Sequence, residues 1–103
     1  MKLGITTRAI KQWAKDRNLH TAESNKQMLK LVEELGELAE GMEKGKEEEV
    51  KDALGDMYVV MTILAMQRGH DIEECIELAY NEIKERRGKM INGVFVKEQD
   101  LKQ

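Results

Sequence analysis

The chain has 103 residues, enough for one domain with a modest core, so a single domain over residues 1–103 is expected. Its net charge is −3 with acids and bases interspersed, which excludes the basic patch or stripe of a nucleic-acid binder. Proline is absent and aromatics are 4%, a composition that favours helices. Cys75 stands alone, so no disulfide framework forms within the chain and a reducing cytoplasm fits. The opening MKLGITTRAI lacks the long apolar stretch of a signal peptide. The longest apolar run, Met57 to Met66, is interrupted by Thr62 and is too short to cross a bilayer, so no membrane partner is expected.

Four helices are predicted, in an all-α bundle. The first runs from about Thr7 to Arg17, with Thr6 or Thr7 as its N-cap and Ile10, Trp13 and Ala14 on one face. After a polar link, Ser24 and Gln27 resemble a capping box and open the second helix. Its apolar stripe comprises Met28, Leu31, Val32, Leu35, Leu38, Ala39 and Met42, and Gly41 and Gly45 are read as its end. The third helix starts near Glu47 and is apolar nearly all round from Met57 to Met66, which predicts a central position. Gly69 stops it, and Asp71 with Glu74 makes a second capping box. The fourth helix, roughly Ile72 to Arg87, is expected to pack through Cys75, Ile76, Ala79 and Ile83 and to end at Gly88. In the tail, Asn92-Gly93 between apolar residues is a turn signal, so a short extended arm or hairpin follows. A helical chain this short is expected to complete its core or its site by oligomerising, as a homodimer or tetramer.

Two runs of acids carry the chemistry. Glu33, Glu34, Glu37 and Glu40 lie on the second helix; Glu49, Asp52 and Asp56 lie on the third. At 100° per residue, Glu34 flanks the apolar stripe and Glu37 lies about 60° further round. Glu33 and Glu40 fall beyond it. Glu49, Asp52 and Asp56 fall within about 60° of one another, and Val59 and Ile63 continue their face. A solvated face does not usually turn apolar one turn on, so Asp52 and Asp56 are expected between helices. The plainer alternative is a solvated acidic face, and Glu47 and Glu48 fit that as first-turn acids. Against it, the like pairs Glu33/Glu37 and Asp52/Asp56 at i,i+4 strain a bare helix, a strain that a cation relieves. Two antiparallel neighbours would bring the acidic faces together. Carboxylates without His or Cys suit Mg²⁺, Mn²⁺ or Ca²⁺. His20 and His70 sit in linkers, outside the Glu-x-x-His spacing of a di-iron bundle.

The segment LKLVEELGELAEG resembles the EExxE segment of the MazG-like, all-α nucleoside triphosphate pyrophosphohydrolases. ALGDMYVVMTILAMQRGHDIEECIELAYNEIKERRGK resembles the second half of that family, and the likeness runs from Trp13 to Lys89. It implies a four-helix MazG-like fold and Mg²⁺-dependent hydrolysis of a (deoxy)nucleoside triphosphate to the monophosphate and pyrophosphate, with Mn²⁺ as a possible substitute. The family's metal-binding acids fall on Glu34 and Glu37, with Glu33 beside them as support or water-polarising group. The second motif ends at Asp56, but its glutamate position holds Ala53. Asp52 is the first substitute and Glu49 the second. The likeness also places Asn81, with Arg86 or Arg87, at substrate. Lys84 supplies a charge that the family usually carries where this chain has Glu77, and Trp13 resembles the aromatic near the base pocket. An ordinary basic helix end for Lys84 to Lys89, and a core anchor for Trp13, are the alternatives. Ala53 keeps open a second function, a non-catalytic helical module that binds nucleotide or a protein.

Overall fold

In the computed structural model, described for residues 2–101, the chain forms two compact units, residues 1–73 and 74–103. Four long helices and a two-stranded sheet account for nearly all of it, which is the expected all-α class. The first unit holds α1 (Leu3–Asp16), a 3₁₀ turn (Leu19–Thr21), α2 (Ser24–Glu43) and α3 (Glu47–Gln67). The second holds nearly all of α4 (Ile72–Ile83), then β1 (Gly88–Ile91), β2 (Val94–Lys97) and the short α5 (Glu98–Leu101).

In the first unit α3 is central, as its all-round apolarity predicts. Ala53, Val60, Thr62, Ile63 and Ala65 are its buried residues. α2 lies antiparallel against it across the link Lys44-Gly45-Lys46. That link is a Schellman motif. Gly45 sits at φ +67°, Lys46 N–H donates to the Gly41 carbonyl (2.9 Å) and Gly45 N–H to that of Met42 (3.3 Å). α3 ends the same way, at Gly69 (φ +76°), where His70 N–H reaches the Ala65 carbonyl at 2.8 Å. α1 begins a turn earlier than expected, at Leu3, so Thr6 and Thr7 are not caps. Thr7 is instead fully buried, donating to the Leu3 carbonyl (2.8 Å) and sharing a hydrogen bond with the Tyr58 hydroxyl (2.6 Å). Its back-bond satisfies the hydroxyl inside the helix, and the tyrosine contact ties α1 to α3. Lys11 extends to Asp71 at 2.7 Å, and Asp71 also accepts the Glu73 N–H, which caps the start of α4.

Three expectations need correction. Ser24 is the first residue of α2 rather than its cap, and Glu23 at the cap position makes no side-chain hydrogen bond. Gln27 donates to the Val60 carbonyl on α3 instead. Gly41 lies inside α2, buried against α3, where a Cβ would come within 3.2 Å of Glu49 and 3.3 Å of the Val50 backbone. The inward face of α2 is Gln27, Leu31, Glu34, Leu38 and Gly41. It is rotated about 80° from the predicted stripe at 100° per residue. Met28, Val32, Leu35 and Met42 are left 48–65% exposed. The apolar arc is wider than one neighbouring helix can cover.

In the second unit α4 ends at Ile83, before the basic residues, and none of its residues is buried. The expected packing face of Cys75, Ile76, Ala79 and Ile83 is therefore exposed. Gly88 opens a strand rather than closing the helix. The tail is a hairpin, Gly88 pairing with Lys97 and Ile91 with Val94. Asn92 (φ 51°) and Gly93 (φ 80°) make a type I′ turn at the turn signal read from the sequence. The four-residue α5 had no counterpart among the expectations.

Candidate active site

The two acidic runs meet across α2 and α3. A cleft of about 330 Å³ is lined by Glu37 and Glu40 from α2 and by Glu49, Asp52, Ala53 and Asp56 from α3. Close packing of Gly41 on the first turn of α3 draws the helices together at this end. The i, i+3, i+4 spacing then turns the acids into the groove. Both substitutes for the missing glutamate, Asp52 and Glu49, line the cleft, and Ala53 is buried at its floor with 2% exposure.

The carboxylates differ in how far their charge is met. Glu40 pairs with Lys44, and Glu49 lies 3.6 Å from Lys46. The Lys44 hydrogen bond and charge hold the Glu40 carboxyl below its ordinary range. Among the described residues, no cation lies within 4 Å of Glu37, Asp52 or Asp56. Glu34 stands on the inward face of α2 between Leu31 and Leu38, and its Oε2 is shielded from solvent with no hydrogen-bond partner. Burial, then the adjoining Glu37 and Asp56 carboxylates, push its carboxyl above the ordinary 4.5, while Lys30 pulls the other way. A shielded, unpartnered carboxylate oxygen beside three acids without cations is the donor set a hard divalent ion takes. In the structure as it stands, no three His, Cys, Asp or Glu groups among the described residues converge on a common point.

The remaining expected residues are distributed as follows. Glu33 is exposed and does not line the cleft. Trp13 is 46% exposed rather than a core anchor; with Thr6, Ala9, Ile10 and Val59 it lines an apolar pocket of about 330 Å³. Arg17 stacks on the Trp13 ring at 4.2 Å. Val59 is one turn on from Asp56 along α3. In the second unit, Asn81, Arg86 and Arg87 line a separate cavity of about 570 Å³, and Lys84 does not. The acid that sequence reasoning set aside is Glu40. It follows Glu37 at i+3 and lines the same groove.

A profile of the MazG nucleotide pyrophosphohydrolase domain matches residues 21–91, from the 3₁₀ turn through β1 and including every acid of the cleft. Trp13 lies outside the matched segment. A similar protein is an uncharacterized 18.2 kDa protein from the rep-hol intergenic region of Haemophilus phage HP1 (strain HP1c1). The two are 51% identical over 63 residues, which is 60% of this chain and 39% of the phage protein. The chain thus spans about two fifths of that relative's length. No solved structure matches the chain. No helix among the described residues is long and apolar enough to cross a membrane.

Proposed function

The chain belongs to the MazG nucleotide pyrophosphohydrolase domain family, and from that membership we propose that it hydrolyses a (deoxy)nucleoside triphosphate between the α and β phosphates, using Mg²⁺. The observation that carries this reading is the acidic cleft, with Glu37, Asp52 and Asp56 lacking cations and Glu34 Oε2 shielded without a partner. Glu34, Glu37, Asp52 and Asp56 would hold the ion, and Mn²⁺ offers the same hard-oxygen preference. When bound, the metal neutralises phosphate oxygens and lowers the pKa of a water.

The chain's own groups do the rest. Glu49, lining the cleft outside the metal set, would accept the proton as water attacks the α phosphorus. The bond from that phosphorus to the bridging oxygen breaks, and pyrophosphate leaves. Glu33, exposed outside the cleft, would not reach the attacking water. The Trp13 pocket would take the base by stacking, since Ala9, Ile10 and Val59 make its lining largely apolar. Asn81 and Arg87 would contact phosphate or sugar. We propose a cytoplasmic homodimer or dimer of dimers, supported by the exposed stripe Met28, Val32, Leu35 and Met42 and by an α4 with no buried residue. Nucleotide-pool housecleaning or control is the corresponding role.

The test is pyrophosphate release from a panel of nucleotides with and without Mg²⁺. Release is expected only with the metal, and Glu37→Gln should abolish it while helicity is kept. Unchanged turnover in that variant overturns the assignment. Nucleotide binding without release from any of the panel would favour the non-catalytic module that Ala53 leaves open.

A further inference from the structure

We propose that the C-terminal hairpin is part of a binding site for a polyphosphate carried as its magnesium complex, and that Lys97 is a phosphate-contacting residue of that site. The proposal rests on the nucleotide reading for the class of ligand. Its geometry belongs to the second unit alone.

Lys97, the last residue of β2, lines the same cavity of about 570 Å³ as Asn81, Arg86 and Arg87. These residues come from one helix, one linker and one strand, and the hairpin's closure assembles them. Lys97 pairs in register with Gly88, directly after the two arginines. Glu98 N–H donates to the Arg87 carbonyl at 2.7 Å, which pins the end of β2 to the linker that carries Arg86 and Arg87. Gly88 is required for this closure, because a Cβ there would run into the Val96 carbonyl and come within 2.7 Å of the Phe95 ring. Val96 and Lys97 are the two partly buried residues of an otherwise exposed hairpin. The lysine is therefore held on a fixed strand with its neighbours ordered, not carried on a free tail.

The charge pattern selects the ligand. Arg86, Arg87 and Lys97 face the cavity together with Glu82, Glu85 and Glu98. Among the described residues, no ion pair within 4 Å joins any of them. The cations are thus not consumed by the acids beside them. The lining is neutral in sum, which disfavours a bare polyanion. A magnesium-chelated polyphosphate offers both partners at once: phosphate oxygens for the guanidinium and ammonium groups, and metal-bound water for the carboxylates. Asn81 adds a neutral amide that both donates and accepts.

The experiment is calorimetric titration of the full chain with magnesium tripolyphosphate, which has no base or sugar and so no use for the Trp13 pocket. Lys97→Ala should weaken binding about ten-fold or more, the loss expected for one charge-assisted hydrogen bond. Lys97→Arg should retain it. Lys89→Ala, on the exposed partner strand, should bind like the parent chain. If Lys97→Ala perturbs the hairpin, seen as lost helicity or a lower melting point, the near-isosteric neutral Lys97→Gln carries the same expectation. Unchanged binding in Lys97→Ala and Lys97→Gln overturns the proposal. So does an equal loss in Lys89→Ala, which would mean diffuse charge rather than a site. Pyrophosphate release separates this result from the functional reading. Lys97-dependent binding in a chain that hydrolyses nothing upholds the site and defeats the enzyme. Normal hydrolysis with binding indifferent to Lys97 does the reverse.

Discussion

Replacing Glu34 with leucine should stabilise the metal-free protein and remove its response to magnesium. Glu34 occupies the α3-facing side of α2 between Leu31 and Leu38, where it leaves one carboxylate oxygen shielded and unpartnered. A buried polar atom without a partner costs about 1–3 kcal/mol. Since Glu34 is only partly buried, the low end applies, and Glu34→Leu should recover about 1 kcal/mol, aided by continuity with the leucines on either side. For a domain of this size that is a rise of about 4–8 °C in Tm. In the parent chain, Mg²⁺ at about 100 times its Kd should add about 2.7 kcal/mol, so with metal present the order of stability reverses. Glu34→Gln separates the two effects: it keeps a polar group at the site, so no apo gain is expected, yet it lacks the charge and should respond weakly to Mg²⁺. The assay is thermal melting by circular dichroism with EDTA and with Mg²⁺. If Glu34→Leu melts below the parent in EDTA, the shielded oxygen is not a liability. If it gains as much from Mg²⁺ as the parent does, Glu34 does not hold the metal.

The same carboxyl sets a pH dependence. Its folded value lies above the ordinary 4.5, so the folded state holds the proton more tightly, and apo stability should fall as pH rises from about 4.5 through the raised value. Urea midpoints across that range should show the decline in the parent and not in Glu34→Leu, while Mg²⁺ affinity, read from the same midpoints, should rise with pH as the proton leaves. Asp71 acts oppositely. The Lys11 hydrogen bond and the Glu73 N–H lower its carboxyl, so its contribution is present above 3.8 and is lost as pH falls through the folded value. Asp71→Asn should flatten that acid limb. Gly41→Leu should cost about 1–3 kcal/mol by overpacking against Glu49 and Val50. It should also weaken Mg²⁺ binding without touching a carboxylate; an unchanged Tm would show that the helices are not drawn together there. Leu35→Glu, on the exposed stripe of α2, should shift the parent's mass in sedimentation equilibrium to that of a monomer; a parent that is monomeric at high concentration removes the proposed association.

Element positions were legible where a residue's local chemistry fixes the backbone. Gly45, Gly69 and the Asn92-Gly93 pair each sit at positive φ where a turn or helix stop was read. What periodicity could not locate was the direction in which α2 faces. Its apolar arc admits two neighbours, and the inward one is set by Gly41, which lets α3 approach, rather than by the largest side chains. That single rotation leaves Met28, Val32, Leu35 and Met42 exposed, and it brings Glu34 from the flank of the expected stripe to within about 20° of the centre of the inward face. The basic end of α4 misled for a related reason. Helix propensity carries through Lys84, Glu85 and Arg86, but Gly88 pairs with Lys97 at a distance no other residue allows, and the strand wins. Both errors arise where a glycine admits a close neighbour, and a long-range contact of that kind leaves no periodic trace in the chain. The acids were legible because their electrostatic cost is local: like charges at i,i+4 beside an apolar face are visible in one helix alone. The two faces were expected to meet across antiparallel helices, with Asp52 and then Glu49 standing in for Ala53. At the floor of the groove it is too small and too buried to be the ligand its motif expects, and the acids one residue and one turn before it, Asp52 and Glu49, line the space instead.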